Sequence, residues 1–373
     1  MLIFILIISF TLYFISLTFF LSGLFKNHKH KENTELSNLS VILCVRNGEA
    51  SIQNILSDLK NQDYKGNVEF IIIDDNSSDS TADIIKKNIN IDNRFKYFNT
   101  KLYKSNLNHK KKAISLGIEN SKYEWLLFTD VNCRVGKGWV SSMARCYNEH
   151  DFIIGFSYIK PSKSLVSNFQ NIDFNMLMFS ALGSALHGFP LASSGQNQSY
   201  KKSLYVKING FEKIRNLLQG DDSIFLQLCT QQVNSSMYFS ENHKSYVVGK
   251  TINTWKEFFL QRIRWAGDAN IMWKYNKPFY LIIVSTFITN ILLPISVIYS
   301  VVFKKYIIIV SILLLLKFIF ELSIYYKGSK RLDGKLNFTS FLFWFVFQPI
   351  YVIIVGFFSF FSKYFSWHGR KLV

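Results

Sequence analysis

Two short polar clusters each follow an apolar run that has the length of a buried strand. Asp74 and Asp75 come directly after one such run, and Asp130 and Asn132 come after a later one. Carboxylates accept hydrogen bonds from a nucleobase N–H and from ribose hydroxyls, and carboxylate and amide oxygens are ligands that hard divalent cations prefer. These four residues are candidates for binding a nucleoside diphosphate and its metal ion. The alternative is that they only cap helices and form turns.

A third acidic cluster and a run of lysines add groups that phosphate chemistry uses. Gly220 is followed by Asp221 and Asp222, which stand at the start of an apolar helical pattern over 223–228. A carboxylate near an attacking hydroxyl serves as its general base, so Asp222 is a candidate base. Lys110, the first of three consecutive lysines, is a candidate for neutralising phosphate charge. The alternative for Asp222 is a helix cap with a neighbouring charge.

The segment from Gln261 to Trp265, Gln-Arg-Ile-Arg-Trp, is the most specific pattern in the chain. With about 100° per residue, a helix places Gln261 and Arg264 on one face with Trp265 at its edge. A guanidinium that bridges phosphate oxygens stabilises the negative charge that develops when a diphosphate leaves. The alternative, a plain amphipathic helix at a membrane surface, explains the aromatic residues and Arg262 but not the Gln-x-x-Arg-Trp spacing.

The elements that must position these clusters alternate between strand and helix patterns over residues 39–132. Short β-branched and apolar runs are separated by segments with helical spacing. This alternation predicts an α/β fold with a mainly parallel sheet, whose ligand site lies along the carboxyl ends of the strands. Beyond it, the pattern predicts a strand near 152–159, a long helix over about 164–186, a loop at Gly195 and a helix after Asp222, all built onto the same sheet.

Four apolar stretches at the two ends of the chain are long enough to cross a bilayer, which takes about 20 residues. The first is 1–25, and basic residues follow it, so the positive-inside rule predicts an external N-terminus and a cytoplasmic domain. The others are 278–303, 306–326 and 338–361. The last stretch leaves two topologies open: a fourth crossing, or a re-entrant segment that returns the basic tail 362–373 to the cytoplasm.

Composition limits the class of protein. The chain is 49% hydrophobic and 17% aromatic, which is high for a wholly soluble protein of 373 residues. Its formal charge of +18 comes from scattered lysines rather than from an arginine-rich stripe, so no nucleic-acid partner is expected. The four cysteines lack the spacing of a disulfide framework or a zinc site, which fits a reducing, cytoplasmic compartment.

Taken in order, these segments resemble membrane-bound family 2 glycosyltransferases, the branch that contains ceramide glucosyltransferase-like enzymes and cellulose, hyaluronan and poly-N-acetylglucosamine synthases. The likeness begins with Val-Ile-Leu-Cys-Val-Arg-Asn at 41–47, covers roughly 39–273, and depends on the ordered set rather than on one motif. The resemblance implies a GT-A fold and inversion at the anomeric carbon by one in-line displacement. It also implies a divalent cation, Mg²⁺ or Mn²⁺, that assists departure of the nucleoside diphosphate.

The resemblance further implies roles for the residues at matching positions. The residues expected to bind the nucleotide sugar are Arg46, Asn47, Asp74, Asp75, Lys110, Asp130 and Arg262. The residues expected to act in catalysis are Asp222 as the base, with Asp221, Gln261, Arg264 and Trp265. Asp130 and Asn132 would form the metal turn. The family usually has aspartate where this chain has Asn132, so weaker metal binding is expected, although the amide still offers a carbonyl oxygen.

The resulting expectation is a membrane-anchored transferase in five parts. They are an N-terminal transmembrane helix at 1–25, a cytoplasmic catalytic domain at 39–253, an amphipathic interface helix at 254–277, a C-terminal transmembrane region at 278–361 and a basic tail at 362–373. A UDP-sugar, the commonest donor in the family, would give its sugar to a lipid-linked or glycan acceptor beside the lipids of the bacterial inner membrane. Two alternatives stay open: a processive polysaccharide synthase and a non-catalytic membrane scaffold.

Overall fold

The computed structural model describes residues 2–27, 35–90, 92–147, 149–232, 235–332 and 334–361, with short pieces at 366–367 and 370–371. The helices over these residues are α1 (Leu2–Gly23), α2 (Glu49–Lys60), α3 (Thr81–Ile89), α4 (His109–Glu119), α5 (Trp139–Ala144), α6 (Leu165–Leu186), α7 (Lys202–Lys207), α8 (Ser223–Thr230), α9 (Trp255–Ala269), α10 (Lys277–Phe303), α11 (Ile307–Arg331) and α12 (Phe338–Ser359). The strands are β1 (Leu39–Val45), β2 (Val68–Asp74), β3 (Phe95–Asn99), β4 (Trp125–Asp130), β5 (Arg134–Val135), β6 (Phe152–Gly155), β7 (Ser157–Ile159), β8 (Gln198–Lys201), β9 (Met237–Ser240), β10 (Val247–Gly249), β11 (Ser366–Trp367) and β12 (Arg370–Lys371).

Two compact units divide the chain, and each is built from separate stretches of sequence. The sheet unit comprises residues 28–160 and 190–250. The helical unit comprises residues 1–27, 161–189 and 251–373. Basic residues at 28–31 and most of the tail at 362–373, on which part of the topology prediction rests, lie outside the described residues.

The long helix expected at about 164–186 is present as α6, but it is not part of the sheet unit. It packs against α1, where a Cβ added to Gly23 would lie 2.0 Å from the carbonyl oxygen of Gly183. Small residues at such a crossing allow two helix backbones to approach closely. The stretch 39–253, expected from the sequence to be one domain, is therefore interrupted by a helix that packs elsewhere.

A seven-stranded sheet forms the centre of the sheet unit, in the order β3-β2-β1-β4-β8-β6-β9. The first four strands are parallel to their neighbours, and β8 is antiparallel to both β4 and β6. The predicted α/β fold with a mainly parallel sheet is confirmed. In the register of β1, Val45 lies opposite Asp74 and Cys44 lies opposite Asp130. The two polar clusters that follow β2 and β4 therefore leave the sheet at the same edge.

The central strands are apolar along their length because helices cover both faces of the sheet. Val41 and Leu43 belong to a buried core that also contains Ile55 of α2 and Trp139 of α5. On the other face α4 lies so close that a Cβ added to its Gly117 would come within 2.7 Å of an Ile42 side-chain carbon. These layers hold the strand ends, and the residues that follow them, in fixed positions.

The strand expected near 152–159 is two strands that belong to different sheets. β6 pairs with β8 and β9 in the large sheet, whereas β7 pairs with β10 in a three-stranded sheet that β5 completes. The break falls at Phe156, which is buried. The apolar pattern is continuous across the break because both strands are covered.

Four helices of the helical unit, among the residues that the structure describes, are long and apolar enough to cross a membrane: α1, α10, α11 and α12. They match the four predicted stretches, which confirms the membrane character of the chain. α11 continues to Arg331, beyond the predicted end at 326. Its last turns are polar, so hydropathy alone places the end of this helix too early.

A buried ion pair in α11 ties three of these apolar helices together. Lys317 Nζ lies 2.7 Å and 2.8 Å from the carboxylate oxygens of Glu321, and both side chains are almost completely inaccessible to water. Lys317 also donates to Gln348 Oε1 of α12 at 2.8 Å, and the Tyr13 hydroxyl of α1 donates to Glu321. A charge within an apolar helix is tolerated when a partner neutralises it. This network therefore specifies which faces of α1, α11 and α12 meet.

Candidate active site

Three side chains from separate elements of the sheet unit meet at the carboxyl edge of the sheet. Lys110 Nζ, in the first turn of α4, lies 2.9 Å from Asp130 Oδ1 at the end of β4 and 3.0 Å from Asp221 Oδ2. Although desolvation favours the neutral amine, the two carboxylates raise the pKa of Lys110 well above its usual range. The ammonium therefore remains charged and is shared between the two aspartates.

Asp222 lies next to this cluster and caps α8. One carboxylate oxygen, Oδ1, accepts a hydrogen bond from the Ser223 backbone N–H at 2.5 Å, and the other, Oδ2, accepts a longer one from Gly195 N–H at 3.4 Å. Burial and the charge of Asp221 raise the pKa of Asp222 to about 6. A carboxylate with a pKa raised toward neutrality, and with one weakly engaged oxygen, has the properties of a general base.

The pKa of Asp221 is shifted in the opposite direction from that of Asp222. Burial on its own would raise the pKa of its carboxyl, but Lys110 outweighs that effect and holds the pKa below its usual range. Neighbouring carboxyls whose environments move their pKa values apart can take different roles. Here Asp221 remains an anion that holds Lys110, and Asp222 is the carboxyl whose pKa fits the predicted role of base.

Gly195 brings the backbone of a loop directly against the cluster. A Cβ at this position would lie 3.0 Å from Lys110 Nζ and 3.4 Å from Asp221 Oδ2. A larger residue would have to displace the ion pair. The sequence pattern identifies a loop here, but it contains no signal that this glycine touches the acidic cluster.

Lys111, the neighbour of Lys110, points into the protein. Its side chain is fully buried, and Nζ donates to the backbone carbonyl of Gln219 at 2.9 Å and also to that of Leu217. Gly220, which follows Gln219 in the chain, has a positive φ of 96°, a conformation that favours glycine. Lys111 therefore fixes the turn that presents Asp221 and Asp222.

At the nucleoside end of the expected site, the fold already uses the carboxylate of Asp74. Its Oδ1 accepts from Ser77 N–H at 2.9 Å, and its Oδ2 accepts from Asn99 Nδ2 at 2.8 Å and from the Tyr97 hydroxyl at 3.0 Å. Asp75 is also buried, and its Oδ1 accepts from the Thr100 hydroxyl at 2.9 Å. Asp74 thus shapes the turn after β2, and nucleoside binding by Asp74 and Asp75 remains a prediction.

Arg46 and Asn47, which follow β1, form hydrogen bonds with the turn after β2 at the same edge of the sheet. Arg46 Nη1 donates to the Asp75 carbonyl at 3.1 Å. Asn47 has a positive φ of 48°, and its Oδ1 accepts from Ser78 N–H at 2.9 Å. The structure therefore brings Arg46, Asn47 and the turn after β2 together, and their binding of the nucleotide sugar remains a prediction.

The turn after β4 offers oxygen ligands for a divalent cation. Cys133 N–H donates to the Asp130 carbonyl at 3.0 Å, which closes a turn that carries both Asp130 and the half-buried Asn132. Within the described part of the chain, no group of three or more His, Cys, Asp or Glu side chains could hold a metal ion. A carboxylate and an amide oxygen fit a hard cation whose other ligands come from a bound diphosphate and water.

The Gln-Arg-Ile-Arg-Trp segment lies in α9, which ends at Ala269 rather than at the expected 277. Arg262, assigned above to donor binding, is buried, and its Nε donates to Asp173 Oδ2 at 2.7 Å. Gln261 is also buried, whereas Arg264 and Trp265 are only partly so. The charge of Arg262 is already neutralised within the helical unit, which argues against a role as a phosphate ligand.

The structure thus brings together the site residues of the sheet unit, Lys110, Asp130, Asp221 and Asp222. The expected residues Gln261, Arg264 and Trp265 belong to the helical unit. Their approach to the diphosphate and acceptor remains a prediction.

Comparison with known proteins agrees with the observed fold. Residues 40–208 match the family model described as Glycosyl transferase family 2. This part of the chain is therefore similar to family 2 glycosyltransferase domains. The match begins at β1 and ends after α7, so it contains the whole parallel half of the sheet with Lys110 and Asp130, and it stops before Asp222.

Individual relatives point the same way. The chain is 25% identical over 296 residues to "Probable glycosyltransferase YdaM" of Bacillus subtilis (strain 168), covering 72% of this chain and 69% of that protein. It is 30% identical over 132 residues to "GalNAc(5)-diNAcBac-PP-undecaprenol beta-1,3-glucosyltransferase" of Campylobacter jejuni subsp. jejuni, covering 35% of this chain and 41% of that enzyme. These relatives support the assignment of the chain as a glycosyltransferase.

A solved structure supports the fold. The mannosyltransferase PcManGT from Pyrobaculum calidifontis, in complex with GDP-Man and Mn²⁺, aligns with a TM-score of 0.61 and 13% sequence identity, covering 97% of this chain and 100% of that one. The predicted GT-A fold is confirmed.

The raised pKa of Asp222 gives the glycosyltransferase a testable pH dependence. Below its pKa of about 6 the carboxyl is protonated and cannot accept a proton from an acceptor hydroxyl. Because the charged form is the active one, we expect kcat/KM to rise about tenfold per pH unit below about pH 6 and to be level above it. The check is the rate of nucleoside diphosphate release from about pH 5 to about pH 8. A profile with no change of slope near pH 6 would remove Asp222 as the base.

Lys111 gives a second test of the glycosyltransferase site. Replacing it by methionine removes the hydrogen bonds to the carbonyls of Leu217 and Gln219, so we expect lower thermal stability and a fall of about tenfold in kcat as the Asp222 turn loosens. Lys112→Met is the matched control, because that neighbour is only half-buried. Thermal unfolding and donor turnover are measured for both variants. Equal kcat values for the two variants would show that Lys111 does not hold the turn.

Proposed function

We propose that this glycosyltransferase moves a sugar, with inversion, from a nucleotide-diphosphate sugar to a lipid-linked or membrane-proximal acceptor. A UDP-sugar is the expected donor. The observation that carries the proposal is Asp222, a carboxylate with a raised pKa held beside the Lys110–Asp130–Asp221 cluster at the carboxyl edge of the sheet. The four apolar helices of the same chain favour an acceptor in the membrane.

The proposed reaction is a single displacement. Asp222 accepts the proton of the acceptor hydroxyl while that oxygen forms a bond to the anomeric carbon. The bond from the anomeric carbon to the diphosphate oxygen breaks, and the electron pair leaves with the nucleoside diphosphate. Lys110 and Arg264 stabilise the negative charge that develops on it. A divalent ion held by Asp130 and Asn132, when bound, adds charge neutralisation at the diphosphate.

The test is an assay of the purified full chain in lipid nanodiscs against a panel of UDP- and GDP-sugars. Release of nucleoside diphosphate identifies the donor, and radiolabel in the extracted lipid identifies the acceptor class. We expect lipid that carries one or a few sugars. A high-molecular-weight product would show a processive synthase instead. Absence of turnover with every donor, from protein that is folded and supplied with membrane lipid, would favour a non-catalytic scaffold.

We also propose that the catalytic side faces the cytoplasm of the bacterial inner membrane. Arg331, at the end of α11, donates to the backbone carbonyls of Leu24 at 3.0 Å and Lys26 at 2.7 Å, just beyond the end of α1. Lysines flank both helix ends, at Lys26 and at Lys327 and Lys330. These basic ends therefore lie on the same side of the membrane, which the positive-inside rule makes cytoplasmic.

For α12, the contacts of its two ends favour the alternative in which the basic tail returns to the cytoplasm. Its first end meets α11 near the cytoplasmic end of that helix, where Asn337 N–H donates to the Tyr325 hydroxyl at 3.0 Å. Its other end meets the segment that precedes α10, where Asn270 Nδ2 donates to Ser359 Oγ at 3.0 Å. Pro349 lies between the two ends, at a position where helices bend. Both ends thus lie toward the cytoplasmic side.

This arrangement makes a prediction for the basic tail. A cysteine placed at Lys371 should react with a membrane-impermeant maleimide in inside-out vesicles and not in intact spheroplasts. Lys304→Cys, between α10 and α11, is the matched control and should show the reverse pattern. Labelling of Lys371→Cys from the outside would show that α12 crosses the membrane.

A further inference from the structure

The buried carboxylate of Asp173, in α6, contacts the Gln-Arg-Ile-Arg-Trp segment of α9. Asp173 Oδ2 accepts from Arg262 Nε at 2.7 Å and lies 2.7 Å from Arg262 Nη2. The two side chains are 2% and 4% exposed. A buried ion pair contributes little net stability over an apolar pair of the same volume, but it fixes geometry through its hydrogen bonds. We therefore expect the Asp173–Arg262 pair to matter for the geometry of the segment more than for the stability of the protein.

The guanidinium of Arg262 contacts both motif residues that flank it. Arg262 Nη1 donates to Gln261 Oε1 at 2.7 Å, and its guanidinium carbon lies 4.3 Å from the centre of the Trp265 ring. Because Gln261 Oε1 accepts this hydrogen bond, the orientation of the Gln261 amide group is fixed by Arg262. Stacking on the ring restricts the orientation of Trp265. Arg262 therefore orders two side chains of the motif at once.

The second oxygen of Asp173 is held by α12. The Tyr351 hydroxyl donates to Asp173 Oδ1 at 2.5 Å, and Trp344 Nε1 donates to the same oxygen at 3.3 Å. These two residues are seven apart on α12 and so share one face. Phe258 of α9 packs against the Tyr351 ring at 5.7 Å between ring centres. One carboxylate thus joins α6, α9 and α12.

We propose that Asp173 is a positioning residue for sugar transfer: it orients Gln261 and Trp265 through Arg262, and α12 holds it in place. This inference rests on the proposed function, together with the expectation from the family resemblance that Gln261 and Trp265 act in catalysis. In it, Asp173 and Arg262 touch neither diphosphate nor acceptor. The role explains why an arginine is buried between Gln261 and Trp265, where a plain interfacial helix would expose it.

The experiment compares two buried carboxylates of the helical unit. Asp173→Asn removes the charge that faces Arg262, and Glu321→Gln removes the charge that faces Lys317 in a network that does not include α9. Each change keeps the shape of the side chain and leaves one buried cation unpaired. Both variants should lose thermal stability. Only Asp173→Asn should affect the motif.

The direct readout is the ¹⁹F NMR signal of Trp265 in fluorotryptophan-labelled full chain, assigned with Trp265→Phe. We expect Asp173→Asn to shift or broaden this signal and Glu321→Gln to leave it unchanged. Sugar incorporation into the lipid of native membrane vesicles should fall about tenfold or more in Asp173→Asn only, while the Kd for UDP stays within about twofold. An unchanged Trp265 signal in Asp173→Asn, or an equal change in Glu321→Gln, would overturn the proposal.

Two further variants keep the test decisive if Asp173→Asn folds poorly. Tyr351→Phe retains both charges and should cause a smaller shift of the same Trp265 signal. The double variant Asp173→Asn with Arg262→Gln has no unpaired charge and should recover stability without recovering transfer. Recovery of transfer in the double variant would show that only charge burial matters. Absence of sugar transfer by the wild-type chain would count against the proposed function, whereas the NMR signal still decides this inference.

Discussion

Replacing Asp222 by asparagine is expected to lower kcat for sugar transfer about 10³-fold while the protein remains folded. The amide keeps the shape of the carboxylate and caps a helix about as well, so the contact with Ser223 N–H is retained. It cannot accept a proton from the acceptor hydroxyl. Donor binding should change little, because Lys110 and Asp130 still form their ion pair. The measurement is kcat and donor KM, with thermal unfolding as the check on folding.

The neighbouring carboxylate separates two explanations for a loss of activity. Asp221→Asn should raise donor KM, because Lys110 loses one of its two partners. Asp222→Asn should act on kcat instead. Transfer by Asp222→Asn at more than about a tenth of the wild-type rate, with normal folding, would rule out proton transfer by this residue.

Replacing Arg264 by alanine is expected to lower kcat about 10²-fold. The proposed mechanism requires a guanidinium at the departing diphosphate, where charge develops only as the bond breaks. Arg264→Lys should recover part of the loss, since the ammonium keeps the charge but not the two-pronged geometry. Lys256→Ala, at an exposed position of α9, is the matched control.

The Arg264→Ala variant also tests whether residues of the two units act in one site. Arg264 belongs to the helical unit and Asp222 to the sheet unit. The loss of activity should grow with poorer leaving groups, which need more stabilisation in the transition state. If Arg264→Ala transfers sugar as fast as Lys256→Ala, α9 does not take part in the reaction.

Much of the sheet unit follows from local patterns in the sequence. Continuous apolar runs between turn residues predict β1, β2 and β4, and their parallel alternation with helices predicts that Asp74 and Asp130 share one edge. The division of 152–159 between two sheets does not follow, because both strands are buried and only their partners differ. The packing of α6 against α1 is likewise a tertiary contact, which the helical spacing of apolar residues does not predict.

The candidate site is predicted in part for the same reason. Lys110 and Asp130 follow from their positions at element ends, but the inward direction of Lys111 does not, since three consecutive lysines resemble a solvated face. The burial of Arg262 depends on Asp173, which is 89 residues away in the chain. A pairing over such a distance leaves no periodic signal in a single sequence.

The central claim is that Lys110, Asp130, Asp222 and Arg264 surround one nucleoside diphosphate. The most direct measurement is a cryo-EM structure of the full chain in lipid nanodiscs with UDP and Mn²⁺, or with the diphosphate of whichever donor the panel selects. We expect the diphosphate beside Lys110 and Asp130, with the Arg264 guanidinium within hydrogen-bond distance of the β-phosphate and Asp222 facing the sugar position. A diphosphate bound away from Lys110 and Asp130, or an Arg264 side chain in a different cavity, would contradict it.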